Sequence, residues 1–132
     1  MEGVDCIRLI LLVDDYDAAI SFYCHKTGLF TIEVNLTIGP SERNVVLRYF
    51  DKCIPFRLVV MKAASSNCAS FIGNQSGGLP LLVLPIKDCL GCYERLAAAG
   101  ILFEGEPIQL PYGCQATLLD PFGNRLCLSE KY

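Results

Sequence analysis

Val13-Asp14-Asp15 and Gly28-Leu29-Phe30 have counterparts 73 residues further along the chain, in Ile86-Lys87-Asp88 and Ile101-Leu102-Phe103. Each pair frames the same order of elements. Ahead of the first, residues 6–13 (Cys-Ile-Arg-Leu-Ile-Leu-Leu-Val) form an apolar run rich in β-formers, which predicts a strand. Asp15 is placed to cap a helix, Asp17 suits its first turn, Ile20 and Tyr23 give it an inward stripe, and Gly28 stops it after about three turns. Segments 30–34, 45–50 and 56–61 are again β-rich, separated by Ile38-Gly39-Pro40-Ser41 and by Asp51-Lys52-Cys53-Ile54-Pro55. The first half therefore reads β-α-β-β-β.

Residues 63–78 are small and polar apart from Phe71 and Ile72, as a linker would be. After them the pattern restarts with a strand over 79–86, a cap at Asp88, a helical stripe of Cys89, Cys92, Tyr93 and Leu96, and a stop at Gly100. Strands are expected at 102–104, 115–119 and 125–129. Phe56-Arg57-Leu58 aligns with Asn124-Arg125-Leu126 after a small gap. One βαβββ unit is thus used twice in an α+β fold, and because each unit leaves an apolar sheet face open, the halves are expected to pair within a single domain over 1–132 (module 1 about 1–62, module 2 about 79–132).

Composition narrows the function. The 132 residues suffice for one core, and 52% hydrophobic residues against 19% charged ones exclude a disordered tail. No bilayer span is expected: the longest stretch free of Asp, Glu, Lys and Arg, 63–86, is interrupted by Asn67, Gly73, Asn74, Gln75, Gly77, Gly78 and Pro80. The net charge of −3 is spread over both halves, leaving no basic face for nucleic acid. The start Met-Glu-Gly-Val-Asp is acidic where an export leader is basic, so the eight cysteines are expected to be reduced thiols of a cytoplasmic protein, mostly serving as small hydrophobes.

Two βαβββ modules in this length resemble the vicinal oxygen chelate superfamily, the fold of glyoxalase I, extradiol dioxygenases and bleomycin-resistance proteins. The stretches that carry the resemblance are Leu12-Val13-Asp14-Asp15-Tyr16-Asp17-Ala18-Ala19 through Phe22-Tyr23 and Gly28-Leu29, then Tyr93-Glu94-Arg95-Leu96-Ala97-Ala98-Ala99-Gly100, then Asp120-Pro121-Phe122-Gly123-Asn124. Enzymes of this family place four metal ligands, His, Glu or Gln, on the first and last strands of the two modules. Carried over by motif, those positions are Arg8, Val59 (approximately), Leu81 and Cys127. An arginine repels a divalent cation, Val and Leu offer no lone pair, and one thiol makes no site. The one histidine, His25, falls near the end of the first helix, where it suits the helix dipole. No metal or other cofactor is therefore expected. The resemblance then implies a binding protein of the resistance type, assembled as a homodimer.

Strand parity gives a separate argument. If Leu9, Leu11 and Val13 pack under the helices, then Arg8, Ile10 and Leu12 face the other way, joined by Arg57, Val59 and Met61, by Leu81 and Val83, and by Arg125, Cys127 and Ser129. This is an apolar surface with a few basic groups, the usual make-up of a small-molecule site. Arg8, inside an apolar strand, requires a partner: Glu33 or Glu42 on structural grounds, or the carboxylate or phosphate of a ligand. Tyr49, Phe56 and Tyr112 offer aromatic walls or ordinary packing. The expected ligand-binding set is Arg8, Ile10, Tyr49, Arg57, Val59, Leu81, Tyr112, Arg125 and Cys127. Cys127 becomes a reactive thiol only if Arg8 or Arg125 lowers its pKa, and Cys89-Leu90-Gly91-Cys92 leaves a redox role open. Three functions remain in play: a metal-independent binder of an apolar, anionic small molecule; a glyoxalase-type lyase with displaced ligands; and a non-catalytic protein whose groove is filled by its own side chains.

Overall fold

The computed structural model describes residues 6–131. The expected lack of a basic leader rests on residues 1–5, outside the described residues. The chain divides after Phe71 into two compact units, and the division falls inside the expected linker.

In the first unit, β1 (Ile7–Val13) leads into α1 (Tyr16–Ile20), which continues as a π-helical segment, Ser21–Lys26. Asp15 caps α1 as expected, its Oδ1 accepting from the backbone N–H groups of Asp17 (2.9 Å) and Ala18 (3.1 Å). The expected regular three-turn helix is corrected in its second half. There the Thr27 N–H reaches back five residues to the Phe22 carbonyl (3.0 Å), and the widened turn keeps the neighbours Phe22 and Tyr23 both buried, their rings edge to face. Thr27 seals the end: its hydroxyl donates to the Tyr23 carbonyl and accepts from the Leu29 N–H, and Gly28 takes the positive φ (67°) that turns the chain out.

Three antiparallel strands follow, β2 (Phe30–Thr37), β3 (Arg43–Tyr49) and β4 (Phe56–Lys62). They return across the sheet so that β4 lies parallel to β1, giving the order β1-β4-β3-β2. Leu11, Val13, Val45, Leu47, Leu58 and Val60 form the sheet side of the core. Their chain neighbours point the other way.

In the second unit, β5 (Leu82–Pro85), α3 (Cys89–Ala98), β6 (Ile108–Leu110), β7 (Gly113–Leu119) and β8 (Arg125–Lys131) repeat the plan in the order β5-β8-β7-β6. Asp88 caps α3 through the Gly91 N–H, as Asp15 caps α1. Two expected strands are redrawn. The strand expected over 79–86 shortens to β5 because Pro80 precedes it, although Leu81 and Ile86 still donate to β8 carbonyls. The strand expected at 102–104 reduces to a bridge of Phe103 to Leu118, since Gly105 (φ 78°) and Pro107 interrupt the ladder before β6. The expected linker also holds a short helix, α2 (Ser66–Ala69), capped by Ser65.

The alternation in β4 can be measured. Leu58→Ala is expected to lower the unfolding free energy by about 3 kcal/mol, because Leu58 is fully buried. Val59→Ala, one residue along and on the other face, is expected to cost less than about 1 kcal/mol in the same urea titration.

Candidate functional site

The β1–β4 register sets Arg8 opposite Arg57, Ile10 opposite Val59 and Leu12 opposite Met61, all on the face turned away from α1. The β3–β4 register extends each row, with Arg48 opposite Arg57 and Val46 opposite Val59. Three guanidinium-bearing residues therefore run across three strands, and an apolar row of Ile10, Val59 and Val46 lies directly beyond them. Like charges placed opposite one another across strands destabilise a sheet. One compensation is visible: the β2 register shifts at Glu33, and the Glu33 carboxylate pairs with Arg57. Glu33, one of the two carboxylates considered for Arg8, is thus engaged by Arg57. Arg8 itself is exposed.

Two recesses bracket the face. At the arginine end, a cavity of about 130 Å³ is lined by Arg48, Tyr49, Lys52, Ile54, Pro55 and Arg57. At the other strand ends, one of about 640 Å³ is lined by residues including Val59, Met61, Asn44, Tyr16, Ile38 and Ala63, a volume in the range of small-molecule sites. Its neighbour of about 510 Å³ is acidic, with Asp14, Asp15, Asp17 and Glu42 in its wall. Arg43 stands at both, held by Asp17 (2.9 Å) and Asn35 (2.8 Å) with its guanidinium over the Tyr16 ring.

Of the expected ligand-binding set, Arg8, Ile10, Arg57 and Val59 share this face. Tyr49 does not: it is 1% exposed in the core, its ring against Phe30, because it keeps the parity of Val45 and Leu47. Arg48 and Lys52 were not in the expected set. The signal for Arg48 was present, since Val45, Leu47 and Tyr49 turn inward and Arg48 lies between two of them.

In the second unit the same face carries Val83 opposite Cys127, with Thr117 beyond it. Arg125 is fully engaged: its Nε and Nη2 donate to both Glu104 carboxylate oxygens (2.8 and 2.7 Å) and its Nη1 donates to the Gly78 carbonyl (2.7 Å). Leu81, just before β5, donates its backbone N–H to the Arg125 carbonyl. Tyr112 is exposed in the β6–β7 turn, beside a small dent of about 50 Å³ that also touches Gln115 and Ser129.

The thiols lie on the inert side. Burial pushes Cys127 up, outweighing the Thr117 hydroxyl and Arg125, which pull it down. Cys89 is pushed up to about 12 by burial and by a hydrogen bond with Cys114, and burial raises Cys92 despite Arg95. A nucleophilic or redox cysteine needs the opposite shift. No disulfide joins any of the eight cysteines.

Nor do the residues at the family's ligand positions fit a metal. Arg8 faces a second guanidinium-bearing residue, Val59 and Leu81 have no donor, and the raised Cys127 holds its proton. Among the described residues no three His, Cys, Asp or Glu side chains gather to hold an ion. Also among these residues, no helix is long and apolar enough to cross a membrane.

Two βαβββ units, each with a mixed four-stranded sheet and one face turned from its helix, define the class of fold. The chain belongs to the Glyoxalase/Bleomycin resistance protein/Dioxygenase superfamily, whose family model matches residues 6–128. An uncharacterized protein of Shewanella frigidimarina (strain NCIMB 400) is 33% identical over 118 residues, covering 89% of this chain and 87% of its own. Among solved structures, UcmS2 is 28% identical with a TM-score of 0.80, over 96% of this chain and 97% of that one. TnmS3, an antibiotic binding protein from Streptomyces sp. CB03234, has a TM-score of 0.75 over 100% of this chain and 99% of its own, and at 24% identity it shares the fold.

The raised thiols predict a chemical pattern. At pH 8, iodoacetamide is expected to modify exposed Cys53 first and to reach Cys89 and Cys127 only once urea unfolds the chain, as read by peptide mass spectrometry. Because the folded state keeps the Cys89 proton that the unfolded state gives up, stability is expected to fall as pH rises from about 9 towards about 12.

Proposed function

We propose that this chain is a metal-independent binding protein that holds an apolar small molecule with an anionic group on the open face of its first sheet. The observation that carries the reading is the register itself. One row of arginines is followed immediately by one row of aliphatic side chains, and the strand then runs on to a cavity of ligand size. From Arg57 to Met61 is four residues, about 13 Å of extended chain. A molecule of that length lies with its anion on the arginines and its body along Val59 and Met61. The acidic wall at the far end opposes the reverse orientation. Holding without reacting follows from the same residues: a guanidinium keeps its proton and neither accepts nor releases one at neutral pH. The proposal includes homodimer assembly, as the family resemblance implies, and a reducing cytoplasmic setting, which eight cysteines outside any disulfide suit.

The test uses the probe 1-anilinonaphthalene-8-sulfonate, an apolar ring system with one anion, on folded protein checked by circular dichroism. Saturable fluorescence enhancement is expected. Val59→Asp should abolish it, and Arg8→Ala should weaken it about tenfold, a loss of one charge-assisted hydrogen bond. Elemental analysis of the same sample is expected to find no stoichiometric metal. One equivalent of Zn, Ni or Fe per chain would overturn the reading in favour of a lyase, and an unsaturable probe would favour a filled groove.

A further inference from the structure

The anionic group can be specified further, and the repeat itself supplies the comparison. In the second unit, the row equivalent to Arg8, Arg57 and Arg48 reads Leu81, Arg125 and Leu119. Its single arginine is neutralised by Glu104, so the βαβββ sheet needs one balanced Arg–Glu pair at this place and no more. The first unit has that pair in Arg57 and Glu33 and adds Arg48 opposite it, against cross-strand repulsion. Lys52 then joins Arg48 and Arg57 in the wall of the 130 Å³ cavity, whose lining contains no carboxylate. The nearest acid in the turn, Asp51, turns its Oδ1 to the Cys53 N–H (3.0 Å) and is not among the lining residues.

We propose that this cavity is a binding site for a dianionic oxyanion, the phosphate of a phosphomonoester, with Arg48, Arg57 and Lys52 as its donors. Guanidinium forks match phosphate oxygens in pairs, and a lysine adds a point charge. A single carboxylate leaves part of that cationic wall unmatched, whereas a phosphate above its second pKa, near 6, carries close to two charges and offers three acceptor oxygens. The inference rests on the binding reading above for the ligand's apolar body, but the phosphate site stands or falls by its own residues.

The experiment titrates the full chain at pH 8 with phenyl phosphate, benzoate, phenol and inorganic phosphate, by calorimetry and by Tm. Phenyl phosphate is expected to bind at least about tenfold more tightly than benzoate, phenol to bind least, and inorganic phosphate to raise Tm. Arg48→Leu installs the residue that the second unit carries at the equivalent position, so it is expected to fold with unchanged or higher Tm. It should lose about tenfold or more in affinity for phenyl phosphate. Lys52→Ala, at an exposed turn position, should weaken phenyl phosphate and leave Tm in place. Benzoate binding as tightly as phenyl phosphate overturns the assignment, as does an Arg48→Leu protein that binds phenyl phosphate unchanged. Phosphate binding that survives Val59→Asp while the anilinonaphthalene probe is lost supports the site independently of the apolar one. If the probe binds while no phosphate does, the site is refuted and the binding function is left standing.

Discussion

The ladder between β1 and β4 is the constraint on which the rest of the first unit depends. These strands are far apart in sequence and run parallel, so no hairpin turn fixes their alignment. What fixes it is the buried set on one face: Leu11 on β1 stands opposite Val60 on β4, with Val13 and Leu58 buried on the same side. A slip of one residue would carry those side chains to the open face and bring Arg57 into the core, where an unpaired charge costs several kcal/mol. The core thus determines indirectly where the arginines stand. Placing Arg8 beside Arg57 is a consequence of burying Leu58.

Repetition makes a second, less visible constraint. Asp15 and Asp88 cap equivalent helices, and Arg57 and Arg125 occupy equivalent places on the last strand of each unit, each with a glutamate from the chain that follows the helix. Those features are what a βαβββ unit requires to close its helix and tolerate a charge on its sheet. Features found in one unit only have no such excuse. Arg8 and Arg48 replace what are leucines in the second unit, Leu81 and Leu119, and each stands opposite Arg57, where like charges oppose pairing.

Much of this was legible in the chain. Capping aspartates, terminating glycines and the strand alternation follow from local chemistry, so both units and the inward and outward residues of β1 could be read directly. Local reading failed where a tertiary demand overrode it. The π-helical turn answers the need to bury Phe22 and Tyr23 together, and the loss of a strand at 102–104 follows from Gly105 and Pro107, whose effect on a ladder depends on which strand lies beside them. Parity places Arg8, Ile10, Arg57 and Val59 on one face, as the register has them, while Tyr49 keeps the inward parity of Val45 and Leu47 and meets the arginine-end cavity only at its wall. The pairing of Glu33 with Arg57 could not be read from the chain, since a bulge, which re-aims one side chain, leaves no mark in a strand's composition. Arg48 and Lys52 required the β3–β4 pairing before their convergence could be seen.

The chemistry of the family's metal position and that of Arg8 are related by charge. A divalent cation and a guanidinium both present positive charge to an oxygen, so replacing a ligand by arginine need not end recognition of an oxyanion. It changes what happens next. A metal offers an open coordination position that polarises the bound group and acidifies water, whereas a guanidinium offers directed N–H groups and no Lewis acidity. A rigid sheet fixes the backbone from which such donors project, so that binding has only the side chains to order. On the proposed reading, such an arrangement favours affinity for the ground state of an oxyanion over its activation, which is the distinction between a protein that sequesters a molecule and one that transforms it.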